Sequence, residues 1–158
     1  MRFPLLAALP ILLAGCADEA ATLRRAANPC EGAPLVNADT ASGVGILPTA
    51  PEPMANRGRR GVRVHGVELN RVVLVTEVAS ARNPDGTAEV SVSFRSCGFL
   101  ATNLATRIAF LDAGGRAMET QGSAPLLLDA GAQGTGLRWR SSGRPAAFWV
   151  EVAEAARR

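Results

Sequence analysis

"AEVSVSFR", residues 88–95, decides the fold class. Ala88, Val90, Val92 and Phe94 fall on one side of an extended chain, and Glu89, Ser91, Ser93 and Arg95 on the other. A strict period of two marks a half-buried antiparallel strand, with one face on a core and one in water. A helix would scatter the same residues around its circumference.

The same pattern recurs outward from this stretch. Upstream, "VELNRVVLVTEVAS" (67–80) is rich in β-branched residues and reads as a strand, with "NPDG" (83–86) as the turn that follows it. Downstream, "TRIAFLD" (106–112) is expected to turn Ile108 and Phe110 inward before "DAGG" (112–115) reverses the chain. "PLLLD" (125–129) and "GLRWR" (136–140) follow, separated by the Gly-rich "AGAQG" (130–134). The last strand is "AAFWVEV" (146–152), with Phe148, Val150 and Val152 inward. No ten-residue stretch of this region carries a helical period. The pattern predicts an all-β fold over residues 62–154. It is a single antiparallel β-sandwich, immunoglobulin-like, of about seven or eight strands, with a core of Val, Leu, Ile and Phe.

The chain before residue 62 reads differently. Arg2 is followed by an apolar run from Phe3 to Leu13, shorter than the ~20 residues a membrane-spanning helix needs. It ends on Leu-Ala-Gly-Cys at 13–16, which resembles the lipobox of bacterial lipoproteins. Residues 1–15 therefore read as a signal peptide. By that resemblance Cys16 would carry a diacylglyceryl group and become the acylated N-terminus. Two acyl chains already hold a protein stably on a bilayer. Ala17, where Asp would favour inner-membrane retention in enteric-type bacteria, points to the periplasmic face of the outer membrane. Residues 16–61 are expected to be a linker. A short Ala-rich helix is expected at 17–27, and then Pro34, Pro48, Pro51 and Pro53 among several glycines oppose regular structure. With Cys16 consumed by lipid, Cys30 and Cys97 remain. They are predicted to bond to each other in an oxidising compartment. If the pleat continues past Arg95, Cys97 points away from the core.

Composition excludes little. The chain has 158 residues and a formal charge of +3, with no tyrosine and no lysine. So small an excess does not suit nucleic acid as a partner. One histidine is present, His65, and no Gly-X-Ser-X-Gly surrounds any serine. His65, Met54 and Met118 are scattered, so no metal site, cofactor or catalytic residue is assigned. Two features could bind something. Arg57, Arg59, Arg60 and Arg63 crowd a short stretch, which suits an anionic envelope component such as lipid, lipopolysaccharide or glycan, or is simply a solvated linker end. On the last two strands Trp149 is expected to face outward, with Arg138 and Arg140 flanking Trp139 beside it. That face would be a protein-binding hot spot or a cation–π pair.

"RIAFLDAGGR", "LLLDAG" and "RPAAFWVEV" together resemble the YcfL-like family of small bacterial lipoproteins over roughly residues 65–153. Arg107, Phe110, Asp112 and Gly115 match its Arg-aromatic strand and Gly turn, Gly131 its second turn, and Pro145, Ala146 and Phe148 its final strand. Ser123 and Ala124 stand where that family often has tryptophan. The resemblance implies a lipobox, a linker, a compact β-sandwich and residence in the cell envelope. It implies no activity. The expected function is therefore a lipid-anchored, non-enzymatic module that binds a periplasmic or membrane protein through a sandwich face. The alternatives are binding of an anionic envelope component through Arg57–Arg63, and an envelope hydrolase, which would need a pocket joining His65 to two carboxylates.

Overall fold

The computed structural model describes Asn37 and residues 43–156. The expected signal peptide, the expected lipidation site Cys16, the expected 17–27 helix and Cys30 lie outside the described residues.

Ten strands and one short helix are present among the described residues. They run β1 (Gly45–Ile46), β2 (Glu52–Asn56), β3 (Val62–Val64), α1 (Val67–Val72), β4 (Val73–Arg82), β5 (Ala88–Ser96), β6 (Thr102–Leu111), β7 (Ala117–Gly122), β8 (Leu126–Leu128), β9 (Gln133–Arg140) and β10 (Ala147–Glu154). They form two sheets. Sheet A has the order β1-β10-β6-β7, with β3 also beside β10 and β8 also beside β6. Sheet B has the order β2-β4-β5-β9. The all-β sandwich read from the alternation is the fold. Its pairings are antiparallel except one, where β3 runs parallel to β10.

The decisive stretch behaves as its pattern requires. Ala88, Val90, Val92 and Phe94 are fully buried, and β5 lies between β4 and β9. Opposite them Ile108 and Phe110 of β6 and Phe148, Val150 and Val152 of β10 close the core from sheet A. β4 changes phase midway. Val75 faces Phe94 and Glu77 faces Ser93, so Thr76 is an extra residue. That bulge lets Val73 and Val75 point inward before it and Val78 after it, all three fully buried.

Three expectations are corrected. First, the segment 67–80 is not one strand. Residues Val67–Val72 form α1, and only from Val73 does the chain extend. Gly66 enters the helix at φ 93, a conformation costly for any residue with a Cβ. Asn70 then donates through its side-chain amide to the carbonyls of Val64 and Gly66, at 2.9 Å each, which closes the turn. Second, the sandwich begins before residue 62. β1 and β2 fall in the stretch read as linker, and Leu47 belongs to the core. Their Pro and Gly content fits edge positions, where a missing donor costs nothing. Third, β9 and β10 are not neighbours on one face: β9 belongs to sheet B and β10 to sheet A.

Asn37 shows how the upstream chain is fastened. It is 4 % exposed, donates through Nδ2 to the Val73 carbonyl at 3.0 Å, and accepts from the Val75 amide at 3.1 Å. β2 pairs with β4 only from Ala79 onward. The Asn37 amide therefore acts as a strand partner where β2 no longer reaches.

Candidate binding face

The outward side of sheet A collects the polar and aromatic groups of three strands. The parallel pairing sets Arg63 of β3 beside Glu151 of β10, and the antiparallel pairing sets Arg107 of β6 on the other side of Glu151. The side chains use that register. Arg107 Nε donates to Glu151 Oε2 at 2.9 Å, and a second Arg107 nitrogen bonds the same oxygen. His65 Nε2 stands 3.5 Å from Glu151 Oε1. These contacts hold the Glu151 carboxyl below its ordinary value, above all the Arg107 hydrogen bond, against the opposing effect of partial burial. The charge of Arg107, and then that of His65, act in the same direction.

Trp149 lies two residues before Glu151 on the same face. Its ring packs against the small satellite cluster of Ala109, Leu111 and Ala147. The Arg63 guanidinium stands over the ring, 5.3 Å from its centre. A guanidinium at that distance is attracted by the negative face of the indole. The result is a half-buried aromatic bordered by an apolar strip on one side and by Arg63, His65, Glu151 and Arg107 on the other.

The residues singled out in the sequence fare differently. Trp149 and Arg63 come together, although they were read as parts of two separate features. Arg138 and Arg140 do not join them. They sit on the outer side of sheet B, where Arg138 is 4.0 Å from Glu89 and Arg140 is 3.0 Å from Asp85. Trp139 is core, 5 % exposed. The expected Trp149–Arg138–Arg140 face is thus replaced by Trp149–Arg63–Arg107, because the two strands feed opposite layers. The arginine cluster is also divided. Arg57 pairs with Glu52 at 2.6 Å, Arg59 reaches the Val75 carbonyl, Arg60 is exposed, and Arg63 covers Trp149. These contacts of Arg57 and Arg59 lie on the sheet B side and that of Arg63 on the sheet A side.

Arg107 was read only as part of the family-like strand pattern and Glu151 was not singled out, so neither was assigned to a binding face. Strand alternation already placed both on outward positions, but their adjacency needed the β6–β10 register. His65 meets one carboxylate, Glu151, and that group is shared with Arg107. Among the described residues no group of three His, Cys, Asp or Glu side chains could hold a metal ion. Cys97 is 6 % exposed, yet it is not a member of either core cluster. It follows the end of β5 and is buried at the end of the sandwich.

A separate cleft of about 670 Å³ opens at the end of the sandwich that carries the 83–87, 112–116 and 141–146 turns. Its floor is occupied by Arg82, which donates to the carbonyls of Pro48, Gly86 and Pro145 at 2.7, 2.7 and 2.5 Å. The clamp engages all three guanidinium nitrogens, three of the five donors, and ties three separate connections together, so Arg82 is read as structural.

Comparison with protein-family models finds no match, and comparison with curated proteins finds none either. Solved structures are similar in fold. The crystal structure of Campylobacter jejuni cj0090 matches with a TM-score of 0.50 at 20% identity, over 60% of this chain and 98% of that chain. The crystal structure of a DUF1425 family member from Shewanella sp. pv-4 matches with a TM-score of 0.41 at 14% identity, over 74% of this chain and 100% of that one.

Proposed function

We propose that the protein is a lipid-anchored lipoprotein of the cell envelope that binds a periplasmic or membrane protein, without catalysis, through the outer face of sheet A. Anchoring is supported by the Leu-Ala-Gly-Cys run that closes the N-terminal apolar stretch. The resemblance to YcfL-like lipoproteins agrees with it. The outer membrane is the proposed location, from Ala17. Cys30 is the proposed disulfide partner of Cys97; in support, Cys97 is buried just after the end of β5.

The observation that carries the binding surface is the Arg63–Trp149 stack beside the Arg107–Glu151–His65 group. Tryptophan and arginine are the residue types that dominate interface energetics, and they do so where apolar area is ringed by polar groups. The sheet A face has that composition, and its charges are held in place by the strand register.

Crosslinking in intact envelopes, followed by capture of the tagged protein, tests this. One defined partner should be captured by the wild type and lost with Trp149→Ala or Arg63→Ala, while Arg138→Ala on sheet B leaves capture unchanged. Equal capture by all four proteins defeats the assignment of this face. A crosslinked partner that is absent from every reproducible experiment defeats partner binding itself.

A further inference from the structure

The two ends of the sandwich differ in what they show to solvent. The end with the 83–87 and 112–116 turns is described above. The other end carries α1, the 97–101 loop between β5 and β6, and the residues that follow β10. Here large apolar side chains stand in water: Leu100 is 80 % exposed, and Phe99 and Val67 are each 68 % exposed. The loop that presents the first two has a fixed base. The Cys97 amide donates to the Val72 carbonyl at 2.7 Å, and Gly98 lies so close to Val72 that a Cβ there would sit 3.3 Å from it. Phe99 and Leu100 border an open hollow of about 630 Å³ together with Arg71 and Glu154. Arg71 is paired with Glu68 at 3.1 Å and Glu154 is acidic, so the side chains bordering the hollow offer no cationic excess.

The upstream chain reaches the domain at the same end. Asn37 bonds Asn70 of α1 and the first residues of β4, immediately beside the base of the 97–101 loop. Cys16 precedes Asn37 by a stretch that, fully extended at ~3.5 Å per residue, spans no more than roughly 70 Å. Asn37, the described residue nearest Cys16 in the sequence, therefore sits at the same end of the molecule as the exposed apolar tip.

We propose that the Phe99–Leu100 tip is a membrane-contact site. It inserts into the interfacial layer of the bilayer that holds Cys16, so that the sandwich stands with this end on the lipid and the Trp149 face turned sideways, open to a partner. This inference rests on the anchoring reading. An aromatic and an aliphatic side chain raised on a short loop gain by leaving water for the acyl boundary. The tether makes that insertion intramolecular, so a weak intrinsic affinity suffices. With Arg71 neutralised by Glu68, insertion is driven by apolar area and is insensitive to salt.

The test uses the processed protein reconstituted into phosphatidylethanolamine–phosphatidylglycerol vesicles, with and without brominated acyl chains. Flotation with the vesicles reports the anchor. Tryptophan fluorescence of Phe99→Trp, after subtraction of the parent signal, reports the tip; Ala113→Trp at the opposite end is the reference. The expected result is quenching of the Phe99→Trp signal at least twofold stronger than that of Ala113→Trp, unchanged between low and high salt. A protein that floats while the two signals quench equally overturns the tip and leaves the anchor standing. A protein that does not float overturns the anchor, and the tip is then judged by the same quenching with vesicles in excess. A blue-shifted Phe99→Trp signal without bromine quenching assigns the tip to a protein contact and overturns the lipid assignment.

Discussion

The Arg63 guanidinium stands 5.3 Å from the centre of the Trp149 ring, on β3 and β10, two strands that run side by side in the same direction. Parallel neighbours of this kind are joined only through a long excursion of chain, so the pair is made by the closed fold and by nothing local. The two side chains should be coupled energetically. A double-mutant cycle with Arg63→Ala and Trp149→Ala, read by urea unfolding, is expected to give a coupling of about 0.5–1 kcal/mol. Additive effects would show that the stack contributes nothing to stability.

Glu151 should make stability depend on acid. Its folded carboxyl titrates below the ordinary value of 4.5, chiefly because Arg107 bonds its ionised form. The unfolded chain then takes up this proton first. The contribution is fully present above about pH 5.5 and is lost as pH falls through 4.5 and on through the lowered folded value. Melting of the wild type and Glu151→Gln across this range should show a stability gap that narrows on acidification. A gap that stays constant, or widens, contradicts the assignment.

Arg82 is the buried clamp of the opposite end. It is 8 % exposed, and burial, followed by the charge of Arg144, lowers its pKa from the ordinary arginine value. Its three carbonyl partners come from three different connections: Pro48, Gly86 and Pro145. Arg82→Met keeps the stem and removes every one of those bonds. Leaving one buried and two partly buried carbonyls without these donors is expected to cost about 3 kcal/mol. Chemical denaturation measures this directly, and a loss below ~1 kcal/mol would mean that water replaces the guanidinium at no penalty.

Gly45 makes room for Phe148. A Cβ on Gly45 would stand 2.2 Å from the ring carbon Cζ of Phe148, a fully buried side chain. Gly45→Ala must therefore displace β1 or the ring, at a cost of about 1–3 kcal/mol. Ile46→Ala next to it is the control, because Ile46 is largely exposed. Its effect should stay within ~0.5 kcal/mol. Equal losses in the two variants would remove Gly45 from the core contact.

Some elements were legible in the sequence and others were not. β5, β6 and β10 announce themselves, because a strand with one face on a core must alternate and their residues do so without interruption. β7, "AMETQG", carries no such signal: it is an edge strand with most of its side chains in water. β1 and β2 were hidden by proline and glycine, which an edge tolerates. α1 looked like strand because Val67 and Val72 are β-branched and run straight into the Val-rich β4; Gly66 and the Asn70 amide override that preference. In the candidate face, Trp149 was visible as an outward aromatic, whereas its cationic neighbour was misplaced onto β9.

What the sequence determined by itself is which side chains of each strand enter the core, since alternation is a property of consecutive residues. Which strands become neighbours was decided only by tertiary structure. Backbone hydrogen bonds are the same for every residue type, so a ladder carries no written address. The partner is chosen by how two sheets can bury their apolar faces together. That choice sent β9 and β10 to opposite layers, set β3 beside β10, and so brought Arg63 rather than Arg138 or Arg140 to Trp149.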